Sequence, residues 1–479
     1  MAGYAQGESF EEFRRGLLND FNSFKNRILD HYADFLEGEW HEYETLMPKE
    51  RYAAPKPERQ PEIVRRRTDA AVDANGDLQW DDSYGVGMRE AAAPARPVSD
   101  VQVPPVFDIQ MAGEGREGKE SVLFHGMEIL VPQLDFEIVE NFTSIGHFAY
   151  QWRKLKQQDV AGMIEREVLP VMNGLGLNDH LKYQFLSDYI DMKFPEAGIA
   201  AKMSVLHYLL ANLGYDVRVA IDSQGTPLLG VATEQALFGI PSVDLDGRIY
   251  YLFAPAGLPV GNGVRSCNIP AAPDMGEAFD YRLGELNLPV REGEYDIEYG
   301  DLHLKGKVNL NLFPLLYHYP QMEISAYAQS NLQPGVRADI VRQVREQLGG
   351  KDKGAAIEDL LNFTQMGFGY ATDHDYHGFE KPYFFEENLY YPLNDCEDRA
   401  LFYTYLLWNA LGVEAHLLSY PEHESASVAF PVDIAGKGYR FNGKRFYISD
   451  PTFLNAHSGE CMPAYTRITP VLDYRYPSD

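Results

Sequence analysis

A chain of 479 residues carries 42 Lys and Arg against 71 Asp and Glu, a formal net charge of −29, with 45% hydrophobic and 13% aromatic residues. Its length is about three times that of a usual domain, so two or three domains with a sizeable core are expected, and its acidity argues against nucleic acid or an anionic membrane surface as the main partner. No stretch approaches the roughly 18 uninterrupted apolar residues of a membrane helix, and three cysteines, Cys267, Cys396 and Cys461, are too few and too odd in number for a disulfide framework, since any single bridge leaves a free thiol.

The opening MAGYAQGE has neither the charged nor the apolar region of a signal peptide, yet small residues before a polar stretch resemble what remains around a cleavage site. These residues alone leave a processed secreted chain and a cytoplasmic one both open. From Phe10, the residues Phe13, Leu17, Phe21, Phe24, Ile28, Tyr32 and Phe35 recur at spacings of three and four with charges between them. That spacing predicts one long amphipathic helix within residues 1–47, packed on its own protein's core or docked to another protein. Residues 48–105 hold Pro48, Pro55, Pro57, Pro61, Pro94, Pro97, Pro104 and Pro105 among charges, which predicts an extended linker or a strap across the surface. Within 106–170, VFDIQM and SVLFHGMEILV have strand character and are separated by the turn signal AGEGREG, so a small β-rich segment is expected there.

The rest of the chain contains an internal similarity, expected as two domains over 171–330 and 331–479. PEAGIAAKMSVLHYLLANLGYDVRVAI followed by VDLDGRIYYLFAP matches in plan LNDCEDRALFYTYLLWNALGVEAHLLS followed by YRFNGKRFYISDP. Each is an apolar helix ending at Leu-Gly, then a strand, and later a strand pair around a turn, Asp246-Gly247 or Asn442-Gly443. Superposing Gly214 on Gly412 sets Gly198 against Cys396, and superposing the turns sets Ala254 against Asp450, so the first copy lacks the reactive residue types.

If Asn394 or Asp395 caps the second helix, Cys396 lies in its first turn, where unpaired N–H groups and the helix dipole favour a thiolate. The carboxylates of Asp395, Glu397 and Asp398 oppose this by raising the thiol pKa. His423 sits at the entry to the alternating run Ser425–Phe430, and Asp450 ends the strand RFYIS. Cysteine, histidine and aspartate in that order supply a nucleophile, a base and a carboxylate that fixes the imidazole tautomer.

NDCEDRALFYTYLLWNALG, the spacing of His423 and Ala426, and GKRFYISDPT together resemble the transglutaminase-like superfamily, the papain-related cysteine hydrolases, above all secreted bacterial members with a tyrosine-rich lead such as FFEENLYYPLNDCEDRA. The resemblance covers residues 355–465. It implies an α+β fold in which a helix bearing the cysteine packs on an antiparallel sheet, here in tandem and preceded by the long N-terminal helix. It implies Cys396, His423 and Asp450 as catalytic residues, a protein or peptide amide as substrate, no metal or other cofactor, and a secreted or periplasmic location. Family members often carry glycine two residues before the cysteine, where this chain has Asn394, and a tryptophan oxyanion donor, which has no counterpart here. That leaves the Cys396 backbone N–H with Asn394, Asp395, Tyr390 and Tyr391 as oxyanion and cleft candidates. The expected chemistry is acyl transfer to water or to an amine; the alternative is a silent scaffold or peptide-binding protein that retains the triad.

TDHDYHGFE offers Asp373, His374, Asp375 and His377, metal-binding types that match no closed zinc pattern, so a polar loop bordering the cleft is expected there. GLPVGNG has glycines without the Lys-Ser/Thr and helix of a phosphate loop.

Overall fold

Two Leu-Gly junctions organise the fold. In the computed structural model, which describes residues 29, 31–51, 57–64, 87–90, 117–245, 247–255, 258–267 and 276–477, Gly214 has φ 108° and Gly412 φ 63°. Glycine enters this left-handed region without a Cβ penalty, so each apolar helix stops there and hands the chain directly to a strand. The fold is mixed α+β with antiparallel sheets. It divides into two units, residues 1–49 with 110–281 and residues 50–109 with 282–479, so the break near residue 282 falls inside the span 171–330.

In the first unit, β1 (Trp40–Leu46), β2 (Val217–Asp222), β3 (Pro227–Ala232), β4 (Ser242–Leu245), β5 (Arg248–Phe253) and β6 (Gly263–Cys267) form a closed barrel, in the order β1-β6-β2-β3-β5-β4. All of its pairings are antiparallel, and Ala220, Leu228, Val243, Leu252 and Val264 fill its core. The helix α1 (Ile199–Leu213) is apolar on nearly all sides and buries Met203 through Ala211, as a helix enclosed by its own unit must. Ser121–Val131 lie in one hairpin whose turn is His125-Gly126, both at positive φ. Gly146–Gln157 and Val160–Glu167 are helical, so the 106–170 span is only partly β; VFDIQM lies outside the described residues. Of the predicted N-terminal helix, residues 31–37 are described and helical, and the earlier part lies outside. Tyr32, Ala33 and Leu36 are buried in this unit, with the Tyr32 ring stacked on Trp152 at 4.2 Å and its hydroxyl 3.0 Å from His207 Nε2.

In the second unit, α2 (Cys396–Asn409) packs on a five-stranded antiparallel sheet made of β7 (Ala415–Tyr420), β8 (His423–Val428), β9 (Gly438–Phe441), β10 (Lys444–Ile448) and β11 (Val471–Tyr476). The order is β9-β10-β8-β7-β11. In chain order this repeats the first unit strand for strand: β4-β5-β3-β2-β6, to which β1 is the closing addition. Ile340, Val344, Ile357, Leu360, Phe402, Leu406, Ala426 and Val428 share one core. From residue 50 on, the described parts of the expected strap belong to this unit. Pro61–Val64 pairs with Gly87–Glu90, Ile63 N–H donates to the Leu454 carbonyl at 3.0 Å, and the Gln60 side chain donates to the Gln365 carbonyl at 2.9 Å. Among the described residues no helix is long and apolar enough to cross a membrane.

Candidate active site

Asp395 occupies the N-cap of α2 with extended backbone, and its N–H donates to Asp398 Oδ2 at 3.1 Å, so Cys396 becomes the first helical residue. β8 runs beside the start of this helix, and the Glu424 N–H points at Cys396 Sγ from 3.4 Å. The residue before it is His423, whose Nε2 lies 2.8 Å from Asp450 Oδ2. Asp450 Oδ1 in turn accepts the Thr452 N–H at 2.9 Å, and the Asp450 carbonyl accepts from the Gln365 side chain at 3.1 Å. His423 Nδ1 is buried, with no hydrogen-bond partner among the described residues. The three residues chosen from sequence therefore converge on one end of α2 and one edge of β8.

This site is closed. Cys396 is 3% exposed, His423 0% and Asp450 2%. Burial pushes the Cys396 thiol well above its usual range, helped by the charges of Glu397 and Asp395, and the thiol donates to Glu397 Oε2 at 3.0 Å. None of the three cysteines forms a disulfide, and burial raises the Cys267 and Cys461 thiols to about 11 each. The acids around the thiol are interior: Asp373, Asp395, Glu397, Asp398 and Glu424 are all buried. Desolvation first, and then their mutual repulsion, drives Asp373, Asp395 and Asp398 well above the ordinary carboxylate range. Glu397, against its own desolvation, is held low by Arg51 and by Asp395 and Cys396.

Of the oxyanion and cleft candidates, Asp395 lies within 4.8 Å of the thiol, while the side chains of Asn394, Tyr390 and Tyr391 are engaged with other partners. Asn394 has no positive φ among the described residues; it bridges Arg399 Nε, at 2.8 Å from its Oδ1, and Asn388, at 2.8 Å from its Nδ2. Asparagine tolerates positive φ better than most residues, but that capacity is not used here, and the side chain instead anchors a buried guanidinium. Tyr390 stacks on Phe313 at 4.0 Å, and Tyr391 joins Tyr317, Tyr376 and Tyr383 in an aromatic cluster. The tyrosines that do border the site are others. The Tyr465 ring lies flat on His423, centroids 5.0 Å apart at 13°, and the Tyr370 hydroxyl, which donates to the Pro57 carbonyl, is raised by burial and by the charges of Cys396 and Asp395. Neither had a signal in the sequence, because nothing local links MPAYTR or GFGYAT to a cysteine many residues away.

Arg51 is a further residue that sequence reasoning passed over. Its guanidinium lies 3.9 Å from the buried carboxylate of Glu424, beside His423, so the strap sends one cation into the site. The metal-type loop does not assemble: His374 and Asp375 are exposed, while His377 is buried against Tyr383, 2.6 Å from its hydroxyl, and desolvation lowers it to about 3. Asp373 and, at the end of the same stretch, Glu380 turn onto the acids around α2. The corresponding positions of the first unit carry no such chemistry, for Gly198 precedes α1 and β3 begins with Pro227 where β8 begins with His423. Compared with known proteins, the chain matches no family model, no curated protein and no solved structure.

Proposed function

We propose that the second unit is a transglutaminase-like, papain-related cysteine hydrolase acting on protein or peptide amides, and that the first unit is a degenerate copy of the same core. The observation that carries this reading is the arrangement of Cys396, His423 and Asp450: the imidazole is tied to the carboxylate through Nε2, its Nδ1 has no hydrogen-bond partner among the described residues, and the next residue, Glu424, directs its N–H at the thiol. The common strand order of the two sheets supports the tandem reading. On this reading His423 Nδ1 takes the Cys396 proton and the thiolate attacks the amide carbonyl. The carbon–nitrogen bond breaks as His423 returns that proton to the leaving amine. Water or a second amine, deprotonated by His423, then attacks the thioester and releases the Cys396 thiol. Asp450 stabilises the imidazolium throughout. The resemblance further puts the chain outside the cytoplasm, secreted or periplasmic.

A second reading, a silent scaffold or a latent form of the enzyme, is favoured by the burial of all three residues, the raised thiol pKa and the Arg51 cation in the site. Alkylation of each cysteine against pH, followed by peptide mass spectrometry, separates the two. In an open enzyme Cys396 outpaces Cys267 and Cys461 and loses its lead in His423→Ala. In a latent form it is slow in the wild type and quickened by Arg51→Ala with Gln60→Ala, which loosens the strap. If Cys396 stays no faster than the other two in every variant, the catalytic reading falls.

A further inference from the structure

The hairpin β9–β10 is basic in an acidic chain. Residues 437–448, KGYRFNGKRFYI, hold four cations and no acid, although the whole chain has 42 Lys and Arg against 71 Asp and Glu. Lys437, Arg440, Lys444 and Arg445 are all exposed. Lys444 pairs with Glu414, while Lys437, Arg440 and Arg445 form no ion pair among the described residues. Arg440 stands directly opposite Arg445 across the two strands, a position in which like charges repel. The Arg445 guanidinium rests over the Tyr447 ring at 4.8 Å rather than on a carboxylate.

This hairpin also forms the open edge of its sheet. At the opposite edge, β11 is covered by the helix Ile324–Gln329, and the Tyr476 hydroxyl donates to the Ala328 carbonyl at 3.1 Å. Among the described residues β9 pairs on one side only, with β10. Antiparallel pairing alternates, so around the two-residue turn Phe441 and Tyr439 bond to β10, whereas Gly438 and Arg440 direct their N–H and C=O groups away from it. The Ile448 N–H donating to the Lys437 carbonyl at 3.1 Å keeps the same register. The outward groups of Gly438 and Arg440 are a template for one more strand.

We propose that the β9 edge is a docking strand for an acidic peptide in extended conformation, with Asp or Glu at alternate positions. Backbone bonds to Gly438 and Arg440 add the peptide to the sheet, and its acids fall on the face of Arg440 and Arg445, whose mutual repulsion they relieve. Tyr439 and Phe441, half-buried on the other face, offer apolar contact to the residues in between. A nucleic acid fits less well: the net charge of −29 repels a long polyanion, and a phosphate backbone has no donor for the outward carbonyls. The inference does not depend on whether Cys396 reacts.

Fluorescence anisotropy of the full chain with a fluorescein-labelled peptide of alternating Thr and Glu tests it. Saturable binding is expected, weakened in about 0.5 M salt because the cations are exposed. Arg440→Glu with Arg445→Glu keeps the like-charge pair and reverses its sign. This double variant, with the melting temperature unchanged, weakens the Thr-Glu peptide at least tenfold and gains affinity for the matching Thr-Lys peptide. A fully N-methylated Thr-Glu peptide, unable to complete the strand, also binds at least tenfold more weakly to the wild type. No binding of the Thr-Glu peptide to the wild type overturns the proposal and leaves the cations as a guard against edge-to-edge pairing. So does binding that the double variant leaves unchanged, which places the peptide elsewhere, or equal binding of the N-methylated peptide, which reduces the edge to a charged patch. Tighter binding of oligothymidylate than of the peptide overturns it in favour of nucleic acid, and self-association of the wild type that the double variant abolishes overturns it in favour of a second copy.

Discussion

His423 Nε2 lies 2.8 Å from Asp450 Oδ2 in the interior of the second unit, and this one bond decides which ring nitrogen is left for proton transfer. With Nε2 held by the carboxylate, Nδ1 is the ring nitrogen left over, and the Glu424 N–H, one residue on, reaches the thiol. Asp450→Asn preserves the shape of this pair while favouring the wrong tautomer. Any Cys396-dependent amide hydrolysis is expected to fall by on the order of 10³–10⁴ in kcat, with little change in KM. Steady-state kinetics on a peptide substrate checks this, and an unchanged kcat removes Asp450 from the site.

Cys396→Ala bears on stability differently from a surface thiol. The sulfur is buried and accepts the Glu424 N–H, so its removal leaves an unpaired amide and a small void. The expected loss is about 1 kcal/mol, read as a shift of the urea midpoint at constant slope. A neutral result would mean that water fills the space.

Two histidines and one aspartate pull the acid response of the first unit in opposite directions. Burial lowers His180 and His207 to about 3, so both are neutral in the fold. Their contribution is present above the unfolded value near 6.5 and is lost as pH falls below it, by about 1.4 kcal/mol each on reaching pH 5.5. Asp188, which desolvation and Asp191 raise to about 7, gains stability over the same interval by binding its proton more tightly when folded. Melts at pH 7.5 and 5.5 should therefore show His180→Phe resisting acid better than the wild type and Asp188→Asn resisting it worse. Parallel curves for all three proteins would contradict these shifts.

Arg337 and Glu386 form a two-pronged buried ion pair, Nε to Oε1 at 2.6 Å and Nη2 to Oε2 at 2.9 Å, with the guanidinium 4.9 Å from the Phe385 ring. Arg337→Met strands the Glu386 carboxylate in the core of the second unit. A loss of about 3–5 kcal/mol is expected, and Glu386→Gln added to it should recover a large part, because the uncompensated charge is gone. Denaturant melts of the single and double variants measure this directly, and additive losses would show that the pair is not the cause.

Much of the local order was legible because it is written in short-range pattern. The apolar run from Ala400 to Leu407 and the glycine at 412 specify α2 and its end, and the alternation after Glu414 specifies the strands that follow. Asn442, at φ 48°, and Gly443 make the predicted hairpin turn. Gly247 at φ 87° does the same in the first unit, although Asp246 lies outside the described residues. The Cys-His-Asp order was legible for the same reason, since each residue sits at the end of an element whose pattern is clear.

Propensity, periodicity and glycine conformation act over a few residues, and for that reason the succession of helix, strand and turn in both halves was readable beforehand, as were the element ends at which Cys396, His423 and Asp450 lie. Only the tertiary structure decided the closure of one sheet into a barrel by Trp40–Leu46, the stacking of Tyr465 on His423, the arrival of Arg51 at Glu424 and the burial of five acids at the head of one helix. Each of these joins residues far apart in the chain. Their energies come from desolvation and from long-range pairing, which composition and spacing do not encode.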